Sequence, residues 1–166
     1  MKRVLFIGCP GAGKTTLSKK FAAKAGLPLV HLDQLFWKPG WVERSDEEFH
    51  AALDAVLAQD EWVIDGNYGS SVEKRLQRAD TAVFLDFNNI FCVYRVCKRA
   101  LMREGFQAEG CPQKVDWEFI HHMLFIYPKR ARKIREEYME KYPEIAWFRL
   151  KNRRAVKRFM LEFDLV

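Results

Sequence analysis

Residues Gly8-Cys9-Pro10-Gly11-Ala12-Gly13-Lys14-Thr15 match G-x-x-x-x-G-K-[ST] at every fixed position, and the chemistry served by that spacing is the holding of a polyphosphate. Glycines let successive N–H groups turn inward as a nest around phosphate oxygens. A helix starting behind them adds the partial positive charge and free donors of its N-terminus. In that frame Lys14 reaches the β- and γ-phosphates and the Thr15 hydroxyl holds Mg²⁺, with Thr16 beside the α-phosphate. ATP and Mg²⁺ are therefore the expected cofactors, held by Gly8, Pro10, Gly11, Ala12, Gly13, Lys14, Thr15 and Thr16. The bland alternative is a glycine-rich turn without a ligand; a strand before the motif and a helix after it favour the cradle.

A phosphate cradle does not by itself name a reaction. Motor-type ATPases follow a strand-end Asp with a second acid that activates water, whereas Asp65 is followed by Gly66. The guanine-specifying N-K-x-D pattern is absent from the sequence. Transfer to an acceptor other than water is what remains, a P-loop phosphotransferase. Cys9 adds a separate expectation: a thiol beside a helix N-terminus and Lys14 should have a depressed pKa and raised reactivity, or else be an inert filler.

The elements that position these residues are legible from pattern. Arg3–Ile7 is a short apolar run ended by glycine, as a buried parallel strand should be. A helix is expected from about Gly13 to Ala25, with Leu17, Phe21 and Ala25 on one face and Gly26 as its stop. Further strands are expected at Leu29–Asp33, Trp62–Asp65, Ala82–Asp86 and Ile145–Leu150. Ser45 and Glu48 form a capping box ahead of a helix bearing Phe49, Leu53, Val56 and Leu57, and Ser70 with Glu73 offers a second. A helix carrying Ile90 to Leu101 leads into a polar loop, Gly105–Val115. Beyond it lie a helical pair interrupted at Pro128 and a last helix ending near Phe163. Strands alternating with helices predict a five-stranded parallel sheet in a three-layer α/β/α sandwich. We expect a single domain over residues 1–166, with an acceptor-binding insert at about 34–60 and a short lid at about 104–128.

Several motifs together resemble a known family. The Gly8–Thr15 loop, His31-Leu32-Asp33 with Phe36-Trp37-Lys38-Pro39-Gly40-Trp41, Ile64-Asp65-Gly66-Asn67-Tyr68, and Glu109-Gly110-Cys111-Pro112 with Asp116-Trp117-Glu118-Phe119 look like those of the FlaR-type DNA topology modulation proteins, relatives of adenylate kinase. The resemblance spans nearly the whole chain and implies the P-loop nucleoside/nucleotide kinase-like fold with sheet order 2-3-1-4-5. It implies Asp65 as an outer-sphere Mg²⁺ residue beside Thr15, the alternative being a turn cap. It implies Asp33, at the carboxyl edge of the sheet where ligands collect, as the carboxylate that orients the acceptor hydroxyl, or again a cap. Phe36, Trp37 and Trp41 either stack on the acceptor or form the insert's own core.

Arg95, Arg99 and Arg103 share one helix face at i, i+4 and i+8. Adenylate-kinase-like lids bring arginines onto the transferring phosphoryl group, and Arg95, Arg99 and Arg132 are the expected ones, with Lys14 and Asp33 completing the catalytic set. Departures from the adenylate kinase pattern matter too. Asn67-Tyr68-Gly69-Ser70 stands where those enzymes carry a phosphate-binding Phe-Pro-Arg, which weakens a nucleoside monophosphate as acceptor. A zinc-bearing lid is not expected, since Cys111 stands alone and His121-His122 lack paired ligand spacing.

Composition bounds the remaining possibilities. The 166 residues hold 28 Lys+Arg against 22 Asp+Glu, a formal net charge of +6, which favours anionic partners without choosing among them. A nucleotide and an unidentified small-molecule acceptor are the expected partners. A nucleic acid stays open through Lys151, Arg153, Arg154, Lys157 and Arg158, giving an ATP-binding DNA-interacting regulator as the rival reading. Apolar runs are far shorter than a membrane span needs, and no secretory signal is evident. Four cysteines without a CxxC pair read as free thiols in a reducing cytoplasm.

Overall fold

The structure is a computed structural model and describes residues 1–102, 106–108, 111–112 and 115–165. Its centre is β1 (Arg3–Gly8), whose Val4, Leu5, Phe6 and Ile7 are all buried. A strand buried on both faces must have a neighbour at each edge and a layer above and below. The neighbours are β5 (Trp62–Asp65) and β6 (Thr81–Leu85), both parallel to β1. β2 (Leu29–His31) and β9 (Ala146–Leu150) complete the sheet in the order β2-β5-β1-β6-β9. Counting only the sheet's strands along the chain, this is the expected 2-3-1-4-5.

Alternation along β1 assigns the two covering layers. Phe6 meets Phe21 of α1 (Lys14–Ala25) edge-on at 5.7 Å. That face continues through Phe148 of β9 to Phe159 of α9 (Arg153–Glu162) and to Phe163. Ile7, pointing the other way, faces Val72 of α4 (Val72–Leu76) and Tyr127 of α7 (Tyr127–Lys133). Helices therefore cover both faces of a parallel sheet, as its apolar strands require.

Local chemistry sets several boundaries as expected. Gly26, at φ 66°, ends α1 by returning its N–H to the Ala22 carbonyl. The capping box is present at α3 (Asp46–Leu57): Glu48 N–H donates to Ser45 Oγ at 3.1 Å, and Ser45 N–H to Glu48 Oε2 at 3.2 Å.

Other boundaries differ. β2 stops at His31, and Asp33 sits in the first turn of α2 (Leu32–Phe36) rather than in the strand. A short antiparallel pair, β3 (Trp37–Lys38) and β4 (Val42–Glu43), follows before α3. Ser70 and Glu73 do not cap α4. A 3₁₀ turn at Gly69–Ser71 precedes that helix, and Glu73 instead accepts from the Tyr142 hydroxyl at 3.1 Å and from Lys141.

After α5 (Asn89–Leu101), the expected loop contains β7 (Phe106–Ala108) and β8 (Cys111–Pro112), too short to show as periodicity. Buried Cys111 ties β8 to β3 by donating from its thiol to the Lys38 carbonyl at 3.4 Å. Pro128 does not break the helical run from α6 (Trp117–His121) through α7 to α8 (Met139–Lys141). A π-turn at His122–Ile126 immediately precedes it, with Tyr127 N–H bonded to the His122 carbonyl five residues back. Pro128 thus occupies the first turn of α7, where its missing donor costs little. A second π-turn spans Ile134–Tyr138.

Candidate phosphate and acceptor site

One cavity of about 910 Å³ opens at the carboxyl edge of β1, β2 and β5. Its floor is the Gly8–Thr15 loop. Gly11 holds φ 81°, and a Cβ there would lie 2.6 Å from the Cys92 carbonyl of α5, so both its conformation and the contact of loop with helix favour glycine. Gly13, left-handed at φ 101°, starts α1. Lys14 Nζ donates to the Gly8 and Cys9 carbonyls at 2.9 and 3.2 Å, which holds its ammonium across the loop. Pro10, Gly11, Gly13, Lys14, Thr15 and Thr16 line the cavity. Gly8 and Ala12 lie beneath it, the former bonded through its N–H to Asn67 Oδ1 at 3.2 Å, the latter only 3 % exposed.

Two carboxylates face this floor from neighbouring strand ends. Asp65, 4 % exposed, has Oδ2 at 3.2 Å from His31 Nδ1, while its buried Oδ1 finds no hydrogen-bond partner among the described residues. Burial pushes the Asp65 carboxyl upward, but His31, Lys14 and Thr15 outweigh it and hold the group below the ordinary carboxylate range. Asp33 accepts from the Tyr68 hydroxyl at 3.0 Å. Here burial wins over Tyr68 and Lys14, and the Asp33 pKa is raised. Tyr68 in turn is pushed far up by its own burial and by Asp33, so it remains a donor.

The aromatics divide between packing and cavity wall. Phe36 packs among Trp37, Phe49 and Tyr68 at centroid distances of 4.9, 5.6 and 4.9 Å. Trp37 and Trp41, 5.1 Å apart, line the cavity beyond Asp33.

The arginines divide as well. Arg95 and Arg99 both reach the cavity, Arg95 with its guanidinium beside Gly13. Burial, and then the adjoining charge of Arg95, lower the Arg99 pKa; an anion between the two would relieve that repulsion. Arg132 does not line the cavity: its side chain is 71 % exposed and pairs with Glu136. Arg130, two residues earlier, lies against Gly69 and faces the cavity in its place. Arg103 and part of the expected lid, residues 103–105, 109–110 and 113–114, lie outside the described residues.

Cys9 corrects an expectation. Its thiol is fully buried and hydrogen-bonded to that of Cys92, and this bond together with burial raises its pKa instead of depressing it. The Cys9 side chain packs in the core and does not line the cavity. His31, Asn67 and Arg130 are site residues that pattern did not assign. Asn67 was signalled only by its place after a strand-end Asp-Gly, and Arg130 only as one of five basic residues between Lys129 and Arg135.

Comparison with known proteins bears on the fold. The AAA family model (ATPase family associated with various cellular activities) matches residues 4–64, from β1 through most of β5. Two curated adenylate kinases from Thermotoga neapolitana are 29% identical over 80 residues, 48% of this chain. The match spans 36% of the length of those relatives. Among solved structures, a shikimate kinase from Bacteroides thetaiotaomicron superposes with a TM-score of 0.57 at 22% identity, covering 98% of both chains. A gluconokinase from Sinorhizobium meliloti superposes at 0.59 and 15% identity, covering 98% of this chain and 91% of its own. The fold is that of the P-loop kinases.

Proposed function

We propose that this chain is an ATP- and Mg²⁺-dependent phosphotransferase that moves the γ-phosphoryl group to a hydroxyl of a small acceptor. The observation that carries the reading is that one cavity holds the phosphate-cradle loop, Asp65 and Asp33 together. Phosphoryl transfer asks a protein chiefly for positioning and charge stabilisation, and the side chains supply both. The loop N–H groups and Lys14 bind the phosphates. Mg²⁺ usually takes only one or two protein oxygens and fills its shell with phosphate and water. The Thr15 hydroxyl fits as the direct protein oxygen, and Asp65 Oδ1, unpartnered among the described residues, as the acceptor for a water of that shell; the ion would neutralise the β- and γ-phosphates.

Asp33 orients the acceptor hydroxyl and takes its proton, helped by a pKa raised toward working pH. Arg95 and Arg99 face the charge that spreads over the transferred group, and Trp37 and Trp41 bound the acceptor. The resemblance to FlaR-type proteins supports the same assignment, since Asp33 and Asp65 stand in two of its motifs. The kinase names of the relatives support the transfer of phosphate.

The test is a screen with γ-labelled ATP over nucleosides, nucleotides, sugars and small hydroxy acids, alongside calorimetry of ATP binding. A labelled product that disappears in Lys14→Ala and Asp33→Asn is the expected result. No heat of ATP association, or release of labelled phosphate alone across the panel, would overturn the proposal.

A further inference from the structure

Among the described residues, Arg75 on α4 is the largest charged side chain wholly inside the molecule, at 0 % exposure. Among the described residues no carboxylate pairs with it. Every nitrogen of its guanidinium donates to main-chain carbonyls instead: Nε to Ser71 at 3.2 Å, Nη1 to Gly66 at 2.9 Å, and Nη2 to Asn67 and Tyr68 at 2.6 and 3.2 Å. Burial lowers its pKa to about 9, partly opposed by the charge of Asp65, so the group is still cationic at neutral pH. A buried charge is costly unless it is fully hydrogen-bonded. The return here is order in a segment that has almost no regular structure, the turn between β5 and α4.

That turn carries two contacts of the proposed site. Asn67 Oδ1 accepts from Gly8 N–H at the root of the phosphate loop, and the Tyr68 hydroxyl donates to Asp33. We propose that Arg75 is a positioning residue which, by gathering the carbonyls of Gly66, Asn67 and Tyr68 onto one planar cation, fixes the phosphate loop and the acceptor carboxylate in a common frame. Three carbonyls of consecutive residues converge on one point, and only a rigid fork of five donors can serve them together with a fourth. Lysine has a single nitrogen and cannot span them. The effect on turnover rests on the phosphotransferase reading; the effect on Gly8 does not.

Amide hydrogen exchange, read residue by residue by NMR, separates the two. In Arg75→Lys, Gly8 N–H should exchange at least tenfold faster while Val83 and Phe148, in the far half of the sheet, keep their wild-type rates. Asn67→Ala should match it at Gly8, and the double variant should add nothing further. In the transfer assay, Asn67→Ala should raise the KM for ATP, Tyr68→Phe should lower kcat, and Arg75→Lys should do both. Unchanged protection at Gly8, or equal acceleration at Gly8, Val83 and Phe148, would refute the positioning role, as would wild-type kinetics in an active enzyme. Should Arg75→Lys fail to fold, the wild-type guanidinium decides: separate, slowly exchanging Nη protons are expected, and a freely rotating group overturns the proposal. A wild-type protein without turnover but with the predicted exchange pattern would remove the enzyme reading and leave the clamp.

Discussion

Burial prevails at Asp33, whereas at Asp65, in the same cavity, His31, Lys14 and Thr15 prevail over it. The sign of each shift decides what a substitution does. Asp33 binds its proton more tightly folded than unfolded, so ionising it costs stability as pH rises from the unfolded value toward the folded one. Asparagine cannot ionise and still offers Tyr68 an acceptor. Asp33→Asn should therefore raise the melting temperature at pH 7, with the gain vanishing near pH 3.5, while lowering phosphoryl transfer by about 10²–10⁴-fold. Thermal denaturation at the two pH values and the labelled-ATP assay check this. A lower melting temperature at neutral pH would show that Asp33 is held by attraction, contrary to the burial argument.

Elements decide which side chains meet. Arg130 and Arg132 are two residues apart on α7, about 200° around a helix at 3.6 residues per turn, so only one can face the cavity. Arg130→Gln should raise the KM of the transfer reaction roughly tenfold, the loss of about one charge-assisted contact. Arg132→Gln should leave it within about twofold, because its exposed pair with Glu136 contributes little. Steady-state kinetics of the two variants discriminate; equal effects would move the phosphate-facing side of α7. At α3, Ser45→Ala removes the side-chain half of the capping box and should cost about 1 kcal/mol. Urea unfolding measures that loss, and an unchanged midpoint would mean that α3 is held by Phe49 and Leu53 alone.

Across the whole molecule, the far edge of the sheet is tied down by one carboxylate. Asp86, just beyond β6, accepts from Arg135 at 3.0 Å through Oδ1 and from Arg149 of β9 through Oδ2 at 2.8 Å. This strand-end acid is structural: it binds the second π-turn and the edge strand rather than the cavity. Asp86→Ala should destabilise by about 2–3 kcal/mol through two charged hydrogen bonds, roughly 5–10 °C in melting temperature for a chain of this size. ATP affinity by calorimetry should stay within about twofold. A large loss of affinity with little change in melting would mean that the edge communicates with the phosphate loop.

What local chemistry governs was legible in the residues alone. A nest of loop N–H groups needs glycine at fixed intervals, so the phosphate loop, its strand and its helix could be read directly from Gly8–Thr15. Ser45-x-x-Glu48 marked a helix start, and apolar runs closed by Gly8, Asp65-Gly66 and Asp86 marked the three central strands. Tertiary structure decided what depends on phase and on contacts between distant segments. The π-turn at His122–Ile126 adds a residue to one turn and shifts the register of everything beyond it, a phase the residues alone do not show; the lid resemblance implied Arg132, and the fold presents Arg130. Ser70 and Glu73 had the spacing of a capping box, but Lys141 and Tyr142 offered Glu73 stronger partners from far along the chain. Arg75 reads as one more surface cation between Lys74 and Leu76. Only the convergence of three carbonyls in a turn with no periodic pattern could place it inside.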